Sequence, residues 1–203
     1  SAWPRFFHSI INFCLAFLWL GFVVTTFSKW LDQQSFKAMG LFLYNTLLVY
    51  LFLSRRPSEV LSHRWQDWLV AAATVLVSLW LRPAPMGHAL LQTISMVVQT
   101  VALLAILIAL ASLGKSFGIV PANRQIKING AYRWVRHPLY AAELLFLAGF
   151  LLGHPSTGNL IKGALIFAGQ IVRALAEEKL LEMDPAYRSY LEKVRYRFIP
   201  HIL

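Results

Sequence analysis

The chain has 203 residues, of which 58% are hydrophobic and only 14% charged, and its mean hydropathy is +0.57. A soluble domain carries about a quarter charged residues, so this composition excludes an ordinary soluble protein and predicts an integral membrane protein built from apolar helices. The net charge of +10 does not require nucleic acid as a partner, and we expect none, because membrane proteins concentrate Lys and Arg on their cytosolic side.

Apolar segments of helical length follow one another along the whole chain, and most approach the ~20 residues that a helix needs to cross the hydrocarbon core. There are six, at residues 6–27, 36–53, 65–81, 89–113, 139–152 and 160–176. A short stretch rich in Gly and Pro separates the last two, which predicts a tight helical hairpin. No linker divides the chain, so we predict a single domain over residues 1–203, an all-α polytopic membrane bundle.

Basic residues are distributed unevenly between the two ends of such a bundle. If every segment crosses the membrane, one side receives all but four of the 19 Lys and Arg residues; the exceptions are Lys29, Lys37, Arg82 and Lys162. The positive-inside rule predicts that the basic side is cytosolic, together with both termini and the loop before the fifth segment. No small-residue cleavage site follows the first segment, so we expect a retained span there and not a signal peptide.

After the sixth segment the chain becomes amphipathic. Asp184 and Pro185 are suited to the cap and the first turn of a helix. Tyr187, Tyr190 and Val194 then recur at helical spacing, with basic residues on the other faces. This pattern predicts a short helix on the cytosolic surface, with its basic residues toward anionic lipid.

A polar, basic stretch at residues 129–140 lies between two long apolar segments and ends in Arg-His-Pro-Leu-Tyr. Pro138 fits the first position of a helix, because its missing N–H costs nothing there. His137 would then be the cap residue, and Tyr140 would lie one turn inside the helix. An imidazole and a phenol at the end of a membrane helix are more typical of a functional site than of helix packing.

A second polar group interrupts the sixth segment. Gln170, Arg173 and Glu177 share one helix face, and Glu178 lies beside them. Ionisable groups near the membrane are costly and usually face the bundle interior or a wet cavity. Two interpretations stay open: a functional site, or an Arg173–Glu177 pair that closes the helix end at the interface.

Glu143 lies one turn beyond Tyr140 within an apolar run. It could be buried and protonated, pair with Arg136 or Arg173, or contact a ligand, and a structural pairing is the preferred interpretation. We predict no metal site, because the chain has one cysteine, Cys14, and its histidines show no metal-ligand spacing.

These residues resemble those of the isoprenylcysteine carboxyl methyltransferase family, a family of membrane enzymes. The resemblance covers residues 97–203 and is carried by LGKSF at 113–117, GAYRWVRHPLY at 130–140, RALAEE at 173–178 and the ending at 187–200. The chain departs from the family at Glu143, where apolar residues are more usual. It is also shorter than the eukaryotic enzymes, so we expect a prokaryotic relative in the cell membrane.

The resemblance implies transfer of a methyl group from S-adenosylmethionine at the cytosolic face of the membrane. By position in the motifs, two sets of residues receive roles. The cofactor would be bound by Tyr132, His137, Pro138, Tyr140 and Glu178, and the acceptor would be met by Arg173 and Glu177.

The methyl acceptor is expected to be lipidic or apolar and to enter from the bilayer. A prenylated carboxylate, a phospholipid amine and a small thiol or acid all remain possible, with a carboxylate preferred because an Arg fork suits it. Two other functions stay open: an NADPH-dependent membrane reductase of the sterol reductase type, and a non-enzymatic lipid-binding protein. The absence of a G-x-G-x-x-G loop after a strand excludes a soluble Rossmann-type methyltransferase.

Overall fold

The computed structural model describes residues 3–56, 58, 60–84 and 88–200, with side chains described from residue 9 onward. Arg5, which belongs to the predicted cytosolic charge, and His201 therefore lie outside the described side chains. The α-helices of the described chain are α1 (Trp3–Gln33), α2 (Phe36–Ser54), α3 (Trp65–Leu79), α4 (Ala89–Leu113), α5 (Pro138–Gly153), α6 (Thr157–Leu181) and α7 (Pro185–Lys193). Short 3-10 turns at Gly114–Ser116 and Gly130–Arg133 lie between α4 and α5.

Four of these helices are long and apolar enough to cross a membrane: Ser9–Gln33 within α1, α2, Ala89–Ser116 and α6. The predicted helical membrane architecture is confirmed at this level. Helices α3 and α5 are also apolar but have only 15 and 16 residues. Each is about 22–24 Å long, shorter than the hydrocarbon core of about 30 Å.

The connections α2–α3 and α4–α5 meet at one end of the bundle. The Arg56 amide donates to the Lys115 carbonyl at 2.8 Å, and the Ser62 amide donates to the Pro121 carbonyl at 3.1 Å. Between them, strands β1 (Val60–Leu61) and β2 (Ala122–Asn123) form an antiparallel ladder. The all-α prediction did not include this ladder, because two-residue strands leave no periodic pattern in a sequence.

The connections α3–α4 and α5–α6 meet at the opposite end. Asn159 donates to the Arg82 carbonyl at 2.8 Å, and the Lys162 ammonium donates to the Trp80 carbonyl at 2.9 Å. Successive helices from α2 to α6 therefore run in alternating directions. The end that carries β1 and β2 is the end where most basic residues fall, and it is called the basic end below.

The turn between α5 and α6 has only three residues, 154–156, as a helical hairpin requires. The two helices nevertheless pack mainly on others, α5 on α4 and α6 on α3, so the predicted hairpin is only partly right. Small residues make both contacts close: Gly149 lies against Gln99 of α4, and Gly169 lies against Thr74 of α3. Ser95 of α4 adds a hydrogen bond to the Gly149 carbonyl at 2.8 Å.

Helix α7 forms where it was predicted, with Asp184 accepting from the Ala186 amide at 2.9 Å. Its aromatic stripe, however, faces the protein. Tyr187 and Tyr190 are buried and pack with Ile126 and Leu181. The stripe therefore joins α7 to the end of α6 and to the α4–α5 connection, while the basic side chains of α7 remain exposed.

Candidate functional site

The C-terminal segment returns to the start of α5 at the basic end. The Arg136 amide donates to the Tyr196 carbonyl at 2.9 Å, and the His137 amide donates to the Arg197 carbonyl at 2.8 Å. The Arg136 side chain donates to the Val194 carbonyl at 2.7 Å through Nε. The predicted helix start is confirmed, since Pro138 is the first residue of α5 and His137 its cap.

Glu178 at the end of α6 joins these two segments. Its carboxylate lies 3.3 Å from Nε2 of His137, 3.4 Å from Nη1 of Arg136 and 2.9 Å from Nε of Arg197. The residue is only 3% exposed. We call this arrangement of Glu178, Arg136, His137 and Arg197 the clamp, because it holds α5, α6 and the C-terminal segment together.

A small polar cavity lies beside the clamp at the basic end. Its volume is about 30 Å³, room for about two water molecules. Tyr140 donates to the Glu177 carboxylate at 3.0 Å and stacks on His137, with ring centroids 5.4 Å apart. Burial raises the pKa of Tyr132, and nearby carboxylates raise it further, so its phenol stays neutral. The polar side chains lining the cavity are those of Ser116, Arg124, Tyr132, His137, Tyr140 and Glu177.

Arg124 is the cavity residue that the sequence did not reveal. It directly follows β2 and is 6% exposed. Within the described chain its guanidinium makes no hydrogen bond and no ion pair, and its Nε is buried without a partner. Burial lowers the pKa of Arg124, and the Glu177 carboxylate partly offsets this effect. In the sequence Arg124 is one basic loop residue among many, with no motif around it.

A much larger cavity of about 310 Å³ lies between helices α1 to α6. It runs along α5 from Tyr140 to Phe150, a distance of about 15 Å. Most of its wall is apolar, with Trp19 and Phe22 from α1 and Leu147 from α5 among the lining residues. Polar side chains are found mainly in one part of the wall: Tyr44, Asn45, Tyr140, Glu143, Gln170 and Arg173.

Arg173 projects into the polar part of this large cavity. It donates to the Gln170 side chain at 2.9 Å and to the Ile119 carbonyl at 3.0 Å, and its guanidinium lies 5.0 Å from the Tyr140 ring centroid. The Arg173–Glu177 pair, which was one of the two interpretations of this segment, does not form, because Glu177 accepts a hydrogen bond from Tyr140 in the small cavity. Glu143 accepts a hydrogen bond from Gln170, so its link to Arg173 is indirect.

The two cavities are neighbours that share part of their walls, at Gly118, Leu139 and Tyr140. Of the residues predicted for a site, Tyr132, His137, Tyr140 and Glu177 line the small cavity, and Arg173 and Tyr140 line the large one. Pro138 and Glu178 line neither cavity, although both fix residues that do. Sequence reasoning missed Tyr44, Gly118, Arg124 and Arg197.

Fold and site together define a helical protein of membrane type with a polar cavity at one end and an adjoining apolar cavity inside. No protein-family model and no curated protein matches the chain.

Proposed function

We propose that this protein is an S-adenosylmethionine-dependent methyltransferase of a prokaryotic cell membrane that methylates a lipidic or apolar acceptor, with a carboxylate as the preferred group. The observation that carries the proposal is the shared wall of the two cavities at Leu139 and Tyr140. An enzyme that joins a polar cofactor to an apolar acceptor needs a polar and an apolar compartment in contact. The resemblance in residues 97–203 supports the same reaction.

The proposed topology has six crossing helices, with both termini and the site on the cytosolic side. The alternating directions of α2 to α6 support it, and so does the concentration of Lys and Arg at the basic end. Helices α3 and α5 are short for a full crossing, so the polar connections that they carry would lie within the interfacial region. Substituted-cysteine labelling at Lys115 and Lys162, on opposite ends, tests this topology; labelling of both from the same side would contradict it.

The residues of the small cavity fit a sulfonium cofactor in charge and chemistry. Tyr132, His137 and Tyr140 offer aromatic faces, and Glu177 offers a carboxylate, and both suit a sulfonium cation. The present volume of about 30 Å³ is too small for a whole cofactor, so binding requires the cavity to widen. S-adenosylmethionine, when bound, supplies an electrophilic methyl group. Pro138 sets the start of α5, and Glu178 keeps His137 in place.

The large cavity is the proposed binding site of the methyl acceptor. Arg173 uses two of its five N–H groups on Gln170 and Ile119, which leaves donors for an acceptor carboxylate. Tyr140 lies between Arg173 and Glu177, at the border of the two cavities. The mostly apolar wall is unfavourable for water, and positioning in such a cavity can supply much of the acceleration of an in-line displacement. A carboxylate nucleophile needs no general base.

Cofactor binding provides the direct test. Purified protein in lipid nanodiscs is titrated with S-adenosylmethionine and separately with NADPH, by calorimetry and by thermal shift. We expect saturable binding and a raised melting temperature with S-adenosylmethionine only, since a ligand bound by the folded state stabilises it. Stabilisation by NADPH alone would favour the membrane reductase and overturn the proposal.

A non-enzymatic lipid-binding protein is the second candidate. The observation that favours it is the difference in volume, about 310 Å³ for the apolar cavity against 30 Å³ for the polar one. This candidate predicts that lipid co-purifies in stoichiometric amount while neither cofactor binds. Native mass spectrometry of the nanodisc-derived protein, with and without S-adenosylmethionine, distinguishes the two candidates.

A further inference from the structure

Arg124 presents a buried guanidinium that makes no hydrogen bond and no ion pair with the described residues, although the charge of Glu177 acts on it from a distance. The residue is 6% exposed, lines the small cavity, and has no hydrogen-bond or ion-pair partner for its guanidinium among the described residues. Burying an unpaired charge is costly, and an unpartnered charge of this kind is atypical of a structural arginine. Glu177 lines the same cavity, but its carboxylate is bonded to Tyr140 and forms no ion pair with Arg124.

The local fold holds this guanidinium in position. It lies over Gly118, where a Cβ atom would be 2.5 Å from Nη1 of Arg124, so any side chain at that position would displace the guanidinium. The Arg124 carbonyl accepts from Ser116 at 3.1 Å. The preceding residue, Asn123, is paired in the β ladder and donates to Asp184 at 2.9 Å. The backbone at Arg124 is therefore anchored by the Ser116 hydroxyl, by the pairing with β1 and by Asp184.

A second cation adds to the positive potential here. Arg55 at the end of α2 is close enough for Arg124 to affect it electrostatically: burial, and then the Arg124 charge, lower the pKa of Arg55 to about 10. Arg55 has Asn12 as a partner, whereas Arg124 does not. The site therefore favours an anion, and a guanidinium with its planar fork of donors suits a carboxylate.

We infer that Arg124 is the carboxylate-binding residue of the small cavity and holds the α-carboxylate of the cofactor's amino-acid part. This inference rests on the proposed function. The cofactor carries an ammonium group and a carboxylate on the same carbon, and the cavity carries Glu177 and Arg124 as the two complementary charges. Recognition of both charges discriminates the complete cofactor from analogues that lack one of them.

Calorimetry with two ligands that differ only in the carboxylate tests the inference. Wild-type protein in nanodiscs is titrated with S-adenosylmethionine and with decarboxylated S-adenosylmethionine. A hydrogen bond between charged groups contributes ~1.5–3 kcal/mol, so we expect about tenfold to hundredfold weaker binding of the decarboxylated ligand. In Arg124→Gln the complete cofactor should bind about as weakly as its decarboxylated analogue does to wild type, and the difference between the ligands should vanish.

Two further variants complete the experiment. Arg133→Gln removes an exposed charge from the same connection and should keep the wild-type difference between the ligands. Gly118→Ala should weaken binding of the complete cofactor, because its methyl group displaces the guanidinium. Equal affinity of the two ligands for wild type would overturn the inference and leave the proposed function standing. Failure of wild type to bind S-adenosylmethionine at all would overturn both.

Discussion

Two neighbouring regions at the basic end differ in how a buried charge is paired. In the clamp, Glu178 is surrounded by the side chains of two arginines and a histidine, and it lines neither of the two cavities. In the small cavity, Arg124 is almost as buried, but its guanidinium makes no hydrogen bond or ion pair with the described residues, and only the more distant charge of Glu177 offsets its own. A buried charge with partners connects segments of the fold, whereas one without partners is available to a ligand. Variants in the clamp should therefore affect stability, and variants at the cavities should affect binding and turnover.

The largest effect is expected from breaking the clamp. Glu178→Gln leaves Arg136 and Arg197 without their counter-charge at this position, and removing one partner of a buried ion pair costs ~3–5 kcal/mol. The exposure of Arg197 places the expected loss at the lower end of that range. Thermal unfolding in detergent measures it. Glu182→Gln, an exposed change on the same helix end, should shift stability by no more than ~0.5 kcal/mol. Equal melting temperatures for the two variants would show that the clamp is not structural.

Arg173→Lys should affect turnover and not stability, which is the opposite of what is expected for Glu178→Gln. It keeps the charge but loses the planar fork of donors toward the acceptor. The loss of a charge-assisted hydrogen bond of ~1.5–3 kcal/mol predicts about tenfold to hundredfold lower kcat/KM. Cofactor affinity should stay near that of wild type, because Arg173 lines the large cavity only. A matching loss of cofactor affinity would mean that the two cavities are not functionally separate.

The same variant, paired with Glu177→Gln, distinguishes the acceptor classes. With a carboxylate acceptor, Arg173→Lys should reduce turnover more. With an amine acceptor, Glu177→Gln should be the more damaging change, because a carboxylate orients or deprotonates the amine. Turnover is compared at saturating cofactor, since Glu177 also lines the cofactor cavity. Full activity in both variants would exclude both residues from the reaction.

Tyr140→Phe tests the role of the hydroxyl group at the border of the two cavities. It removes the hydrogen bond to Glu177 and keeps the ring that both cavities share. A hydrogen bond of this kind contributes ~0.5–1.5 kcal/mol, so cofactor affinity should fall about twofold to tenfold while the melting temperature changes little. Tyr50→Phe, on an exposed side chain of α2, is the matched control. A large drop in melting temperature would show that the Tyr140 hydroxyl stabilises the fold.

The smallest expected effect is the change in kcat/KM for each methylene added to the acceptor's apolar tail. Acceptors with one head group and graded tails should gain up to ~0.8 kcal/mol for each methylene buried in the large cavity, or about fourfold in kcat/KM. The gain should stop once the tail reaches the Phe150 end. A series without any gain would mean that the acceptor does not occupy this cavity.

Apolar runs predicted the helices well, because long apolar segments of this composition are typical of membrane-type helices. Helix α4 begins and ends where the sequence predicted, at Ala89 and Leu113, whereas α6 continues to Leu181 through residues too polar for an apolar window. Contacts between segments that are distant in the sequence were harder to predict. Spacing allowed Arg173 to pair with Glu177, but it could not show that Gln170, Ile119 and Tyr140 would compete for them. Arg124 could be recognised only in the folded loop, where its guanidinium is buried and makes no hydrogen bond with the described residues.

The clamp also has a consequence for the order of assembly during synthesis. Arg197 lies 19 residues after Glu178, so the carboxylate leaves the ribosome before its nearest cation does. Arg136 and His137 are already present when Glu178 is made, but the clamp is completed only by the C-terminal segment, after all the apolar helices have been synthesised. Limited proteolysis of ribosome-bound chains of increasing length should show protection of the α5 start only once Arg197 has emerged.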